Sequence, residues 1–145
     1  MDVKIKKLNP NAHIPTKGSD KAAGYDLYAC IEEAIDIQPQ KMVKIGTGIA
    51  VTPPEGYFGA IFARSGLSTK RGLRPANCVG ACDEDYTGEY IVGLYNDSNI
   101  TQIVEPGERI AQLIFLPYVS VNMIEVDELE ETERGDGGFG STGIK

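Results

Sequence analysis

Short runs of β-branched and aromatic residues, cut every few positions by Gly, Pro, Asn or Asp, leave this chain little to build with except β-strands. Strands are predicted over Lys4–Leu8, Ala34–Ile37, Val43–Val51, Tyr57–Ala63, Glu89–Tyr95, Arg109–Leu116 and Val119–Val126. Pro53-Pro54-Glu55-Gly56 and Glu105-Pro106-Gly107-Glu108 are tight-turn sequences, each set directly before a strand. One short helix is predicted near Gly66–Lys70. Many short strands in one domain make an all-β sandwich, jelly roll or barrel.

At 145 residues, 41% of them apolar, the chain is long enough for one domain with a proper core and too apolar for disorder throughout. No apolar run approaches a membrane span, and the start, Met-Asp-Val-Lys-Ile-Lys-Lys-Leu, is no signal peptide. A soluble cytoplasmic protein is therefore expected. Cys30, Cys78 and Cys82 then read as reduced thiols. His13 is the only histidine, too little for a structural zinc site beside Cys78 and Cys82. A His-dependent nucleophile would have to rest on His13 alone, so a carboxylate base and metal-assisted chemistry are the stronger options. The sequons Asn96-Asp-Ser and Asn99-Ile-Thr read as chance.

Net charge is −7 and unevenly placed: Glu125, Asp127, Glu128, Glu130, Glu131 and Glu133 crowd together near the end. Such a run is a solvated connector kept extended by self-repulsion. With no basic stripe, the chain is a poor binder of nucleic-acid polymers, although a few converging arginines would still suit a small anion. Beyond the acids lies Arg134-Gly-Asp-Gly-Gly-Phe-Gly-Ser-Thr-Gly143, in which five of ten residues are glycine. Glycine loses the most backbone entropy on ordering, so this segment holds no regular structure unaided. Its side chains nonetheless match a phosphate ligand bearing a flat ring: an arginine fork, hydroxyls and amides, and Phe139 to stack. It lacks the Gly-Lys-Ser/Thr ending of a Walker loop.

Four internal segments are more specified than folding requires. Ala22-Ala-Gly-Tyr-Asp-Leu-Tyr-Ala29 carries Asp26. Ala63-Arg-Ser-Gly-Leu-Ser68 places Arg64, Ser65 and Gly66 at the start of the predicted helix, where free amides attract anions, or where Ser65 serves as a plain N-cap. Gly80-Ala-Cys-Asp-Glu-Asp-Tyr-Thr-Gly-Glu89 is either an exposed hairpin turn or a site for acid–base work. Gly107-Glu-Arg-Ile-Ala-Gln-Leu-Ile-Phe115 leaves the Gln112 amide among apolar residues, so it is satisfied by backbone or faces a ligand.

In this order, the four segments and the glycine-rich end resemble the five motifs of the homotrimeric dUTP pyrophosphatases (dUTPases), over nearly the whole chain from Ala22 to Gly143. The resemblance implies a distorted jelly roll (β-clip barrel) over residues 1–126. An acidic tether and lid over 127–145 would then be donated to a neighbouring subunit of a homotrimer. It implies hydrolysis of dUTP to dUMP and pyrophosphate with Mg²⁺ held mainly by the substrate phosphates. Asp83 corresponds to the carboxylate that activates water, and Tyr86 to the ring under the deoxyribose that excludes a 2′-hydroxyl. Asn77 matches a position holding the base, and main-chain groups of the hairpin pair with uracil while Gly80 and Gly88 allow close approach. Arg64, Ser65 and Gly66 match the α/β-phosphate cradle. Gln112 matches a phosphate and metal-water contact, and Asp26 a structural or metal-water acid. In the end segment Arg134, Gly140, Ser141 and Thr142 would meet the outer phosphates and Phe139 the uracil.

The chain departs from the family pattern at Gly80-Ala81-Cys82-Asp83, where the family generally has Gly-Val-Ile-Asp. Smaller side chains there put the packing behind the hairpin in question, and Cys82 reads as a small buried hydrophobe. Two alternatives remain: a dCTP deaminase of the same fold, or a nucleotide-binding regulator without turnover.

Overall fold

The computed structural model describes residues 1–143, so positions 144 and 145 of the expected lid lie outside the described residues. Eleven strands and one helix follow in chain order: β1 (Lys4–Lys7), β2 (Thr16–Lys17), β3 (Tyr25–Tyr28), β4 (Ile35–Ile37), β5 (Met42–Thr52), β6 (Tyr57–Phe62), α1 (Ser65–Arg71), β7 (Leu73–Pro75), β8 (Gly80–Cys82), β9 (Glu89–Asn96), β10 (Gln102–Val104) and β11 (Arg109–Pro117). They form a five-stranded sheet, β2-β3-β11-β6-β8, a four-stranded sheet, β1-β5-β9-β7, and the pair β10-β4, all antiparallel. Among the described residues no helix is long and apolar enough to cross a membrane.

The core lies between the two larger sheets. In β9 the burial alternates strictly, with Tyr90, Val92, Leu94 and Asn96 inward; a period of two is what a strand with one covered face requires. Ile45, Ile49 and Val51 of the neighbouring β5 extend that apolar face, and Leu27, Ile110 and Leu113 of the other sheet meet it. The eleven residues of β5 serve both the β1 and β9 ladders because a bulge between Gly46 and Ala50 bends the strand. Two ties fix that bulge: Gly48 N–H donates to Glu89 Oε1 (2.8 Å), and Thr47 Oγ1 donates to the Tyr90 carbonyl (2.6 Å). Asn96, wholly buried, spends its amide fully. Nδ2 donates to the carbonyls of Ile37 (2.8 Å) and Ile100 (2.7 Å), and Oδ1 accepts from Ser98 N–H and Oγ. The sequon at Asn96 is therefore a structural knot.

Two sequence expectations fail. The predicted strand over Val119–Val126 does not form, and Val119 and Met123 stand 82% and 87% exposed. Its composition suits a strand, but no strand of its own chain lies beside it, and a strand without a ladder leaves its backbone groups unpaired. The segment Gly80–Glu89 is likewise no paired hairpin: β8 joins the sheet of β6, whereas β9 joins that of β5, so the loop crosses from one sheet to the other.

Candidate functional site

The central strands β3, β11 and β6 bring three of the singled-out segments to one corner. Asp26 of β3 faces Gln112 of β11, which faces Phe62 at the end of β6; Arg64 follows two residues on. Asp26 is 9% exposed, and both its oxygens are held by guanidinium groups. Arg64 Nε lies 2.8 Å from Oδ1 and Arg109 Nη1 3.1 Å from Oδ2. A buried carboxylate needs such partners, and hydrogen bonds to charged groups stabilise by about 1.5–3 kcal/mol each. Arg64 also donates from Nη1 to the Arg109 carbonyl (3.4 Å), so its guanidinium is fixed on one side.

Gln112 donates Nε2 to the Ala63 carbonyl (2.9 Å), and its Oε1 packs against Gly24 so closely that a Cβ there would lie 2.3 Å from it. The backbone thus satisfies the amide nitrogen and a glycine sets its rotamer. Helix α1 starts beside this corner, with Arg64 in extended conformation as N-cap and no side chain capping it. Ser65 is the first helical residue rather than the N-cap, and Ser65 and Gly66 are exposed. The first-turn amides are open on that side.

The carboxylate loop lies elsewhere. Strand β8 runs antiparallel to β6 with Gly59 opposite Cys82, so the register continues to put Asp83 beside Phe58. Phe58 and Asp83 line one cleft of about 670 Å³, together with Ala81, Glu84, Asp85 and Tyr118. Six residue steps separate Phe58 in β6 from Arg64, two residues past the end of that strand, roughly 20 Å at strand rise. Asp83 and the arginine corner therefore sit at opposite ends of the same strand and do not meet within the chain.

Glu84 anchors the loop, accepting from Gly56 N–H (2.9 Å) and from Tyr118 Oη (2.7 Å). These bonds, that from Tyr118 foremost, hold its carboxyl below the usual range, and the same contact raises the Tyr118 phenol. Asp83 itself is exposed at the cleft. Tyr86 donates to the Glu89 carbonyl (2.9 Å) and lies against Gly88, where a Cβ would fall 2.4 Å from its hydroxyl. Asn77 stands apart from the cleft, its Nδ2 3.3 Å from where a Cβ of Gly80 would be, lining a groove with Met42, Lys44 and Ile91. Cys82 is half-buried, and burial pushes its thiol up, as befits a small hydrophobe rather than a nucleophile.

The glycine-rich end folds into successive turns whose hydrogen bonds are all local, such as Arg134 Nε to the Gly137 carbonyl (2.8 Å). Phe139 is fully exposed, and Ser141 and Thr142 are exposed with it. No group of three or more His, Cys, Asp or Glu side chains that could hold a metal occurs among the described residues. Sequence reasoning missed Arg109, Gly24 and Glu84. Arg109 was within reach as the only basic residue of its segment, whereas the close fit of Gly24 to Gln112 left no sequence signal.

Fold and corner define a class: an all-β, jelly-roll-like domain with a pinned arginine pair at one end and an open carboxylate loop at the other. A family model described as dUTPase matches residues 10–143, and the chain belongs to that family. It is 44% identical over its full length to the deoxyuridine 5′-triphosphate nucleotidohydrolase of a Hydrogenobaculum species, all of which it covers. Among solved structures, a mutant dUTPase of Staphylococcus bacteriophage 80alpha with dUpNHpp superposes with a TM-score of 0.89 at 30% identity, covering 99% of both chains. A mutant dUTPase from phage phi11 of S. aureus, described with a coordinated structural Mg(II) ion, gives a TM-score of 0.81 at 25% identity. That match covers 90% of this chain and 100% of the phage protein.

Proposed function

We propose that the protein hydrolyses dUTP to dUMP and pyrophosphate, by in-line attack of water on the α-phosphorus, at sites each assembled from several copies of the chain. The observation that carries this reading is the separation along β6. A base at Asp83 and an anion corner at Arg64 cannot act on one phosphorus from roughly 20 Å apart. They can do so when Asp83 of one copy faces Arg64 of another, as in a homotrimer.

In that assembly Asp83 orients the attacking water and accepts its proton, a role that contributes roughly 10²–10⁴-fold. Arg64, held by Asp26, meets the phosphate with the part of its guanidinium that Asp26 leaves free, joined by Ser65 and the open amides at Gly66. Gln112, locked by Gly24 and Ala63, presents its oxygen to the phosphates or to water there. Tyr86, 43% exposed, offers a ring face to the deoxyribose, while Asn77 and the main chain near Gly80 hold uracil. The lid brings Arg134, Gly140, Ser141 and Thr142 to the outer phosphates and Phe139 to the base.

Residues 127–133 are a tether: from Val126 to Arg134 the extended chain reaches about 25 Å, enough to cross to a neighbour. The uncovered apolar arm before it, Val119–Val126, suits burial against another copy.

A protein cage for magnesium is not supported, because no three ligating side chains converge among the described residues and both Asp26 oxygens are occupied by arginine. The donor set instead fits Mg²⁺ that arrives on the triphosphate, with Gln112 near its waters; when bound, Mg²⁺ offsets the charge of the phosphate oxygens. Asp26 then acts through Arg64 rather than through the metal.

The test is release of pyrophosphate from dUTP, with and without EDTA, alongside sizing of the protein in solution. EDTA-sensitive pyrophosphate from a particle of three chains is the expected result. Ammonia from dCTP would instead indicate a deaminase, and nucleotide binding without turnover a regulator.

A further inference from the structure

Tyr90 is the largest fully buried side chain of the protein, 1% exposed, and its hydroxyl makes no hydrogen bond among the described residues. A buried phenol usually finds a partner, so the position calls for a reason beyond filling space. Three neighbours supply it. Gly59 of β6 has no side chain to obstruct the hydroxyl, which would lie 2.9 Å from a Cβ there. Cys82 stands beside it: burial raises both groups, and the two influence each other's ionisation without an ordinary hydrogen bond between them. The ring of Tyr86 stacks on that of Tyr90, with centroids 6.3 Å apart and planes inclined by 22°.

Tyr86 is thereby fixed on two sides, by Tyr90 and by the bare backbone of Gly88, with its other face open. The small Cys82 and the large Tyr90 occupy adjoining space, both lying against the bare backbone of Gly59. An exchange of volume between two adjoining side chains conserves the total, which is the kind of change a core tolerates.

We propose that Tyr90 and Cys82 are a size-matched pair that positions the Tyr86 ring, and so set how strongly the enzyme prefers a deoxyribose over a ribose nucleotide. Tyr90 is a positioning residue that acts through Tyr86. The inference rests on the reading of Tyr86 as the face that receives the sugar.

The measurement is the ratio of kcat/KM for dUTP to that for UTP, read with the thermal unfolding midpoint. Tyr90→Phe keeps the ring and is expected to keep the ratio within about twofold. Tyr90→Leu is expected to lower the ratio at least about tenfold, and adding Cys82→Ile to restore most of it. A folded Tyr90→Leu variant with an unchanged ratio overturns the proposal, because a residue that merely fills the core lowers stability and leaves selectivity alone. So does a double variant no more selective than the single. Should Tyr90→Leu fail to fold, the double variant decides by its own ratio. Failure of the double variant as well, with Tyr90→Phe folded, also overturns the matching. Tyr86→Ala separates the two levels: if its ratio matches wild type, the sugar-face reading has failed before Tyr90 is in question.

Discussion

The two ends of β6 carry opposite chemistry and opposite degrees of constraint. At the Phe62 end, Asp26, Arg64, Arg109 and Gln112 hold one another through ion pairs, a backbone hydrogen bond and a glycine that leaves no slack. At the Phe58 end, Asp83 sits exposed in an open cleft, and the loop is held through its neighbours Glu84 and Tyr86 rather than through Asp83 itself. Cations that must meet a highly charged phosphate are worth fixing in advance, because ordering them during the reaction would cost rate. A base that must take a proton from water needs solvent access and a partner copy. The contrast teaches that rigidity is placed where charge is concentrated, and that neither end is complete without the other.

The largest effect should come from the open end. Asp83→Asn is expected to lower turnover by about 10²–10⁴-fold while dUTP affinity stays within a few-fold, measured by kcat and by equilibrium binding. Near-normal turnover would remove Asp83 from the role of base. Next in size, removing residues 134–145 should cost about 10–100-fold in kcat/KM with the thermal midpoint unchanged, the scale of lost charge-assisted contacts.

The separation itself can be broken by mixing. Equimolar Asp83→Asn and Arg64→Ala chains, each inactive, should regain about a quarter of wild-type activity after random reassembly, since some sites then draw both intact groups from different chains. No recovery would mean that one chain holds both. At the rigid end, Gly24→Ala should displace Gln112 and lower kcat about tenfold with little change in stability. Equal loss of stability and activity would count against a positioning role.

The smallest effect concerns Glu84. Its folded-state pKa is depressed, so its stabilising contribution is present above the ordinary glutamate value of about 4.3 and fades as pH falls through the lower folded value. Glu84→Gln should therefore flatten the acid limb of stability below about pH 4.5 and leave neutral pH nearly untouched. An unchanged acid limb would show that Tyr118 and Gly56 do not restrain the loop.

The strands over Lys4–Lys7, Ile35–Ile37, Met42–Thr52, Tyr57–Phe62, Glu89–Asn96 and Arg109–Pro117 were legible because β-branched runs with turn signals are local information. The helix was legible too, and it runs one residue further at each end, Ser65–Arg71. Strands Tyr25–Tyr28 and Gly80–Cys82 were seen only as motifs, since their glycine, alanine and aspartate neighbours carry little strand pattern. Val119–Val126 misled because composition reports fitness for a ladder, not the presence of a partner. In the site, residue types and order were legible, but contacts were not. Arg64 and Arg109 lie 38 and 83 residues from Asp26, and nothing local links them. Nor could spacing reveal that Asp83 and Arg64 lie beside opposite ends of β6.

The knot at Asn96 has a consequence for where such a chain can be produced. Asn96-Asp-Ser is an acceptor sequence for N-linked sugars, which are attached to the very nitrogen that donates to Ile37 and Ile100. Routed through a secretory compartment, the nascent chain would meet the glycosylation machinery before the knot closes. A glycan there would consume a donor and place a bulky polar group at a fully buried position, so the product would be unable to fold. The amide that secures the fold in one compartment would become the point of failure in another.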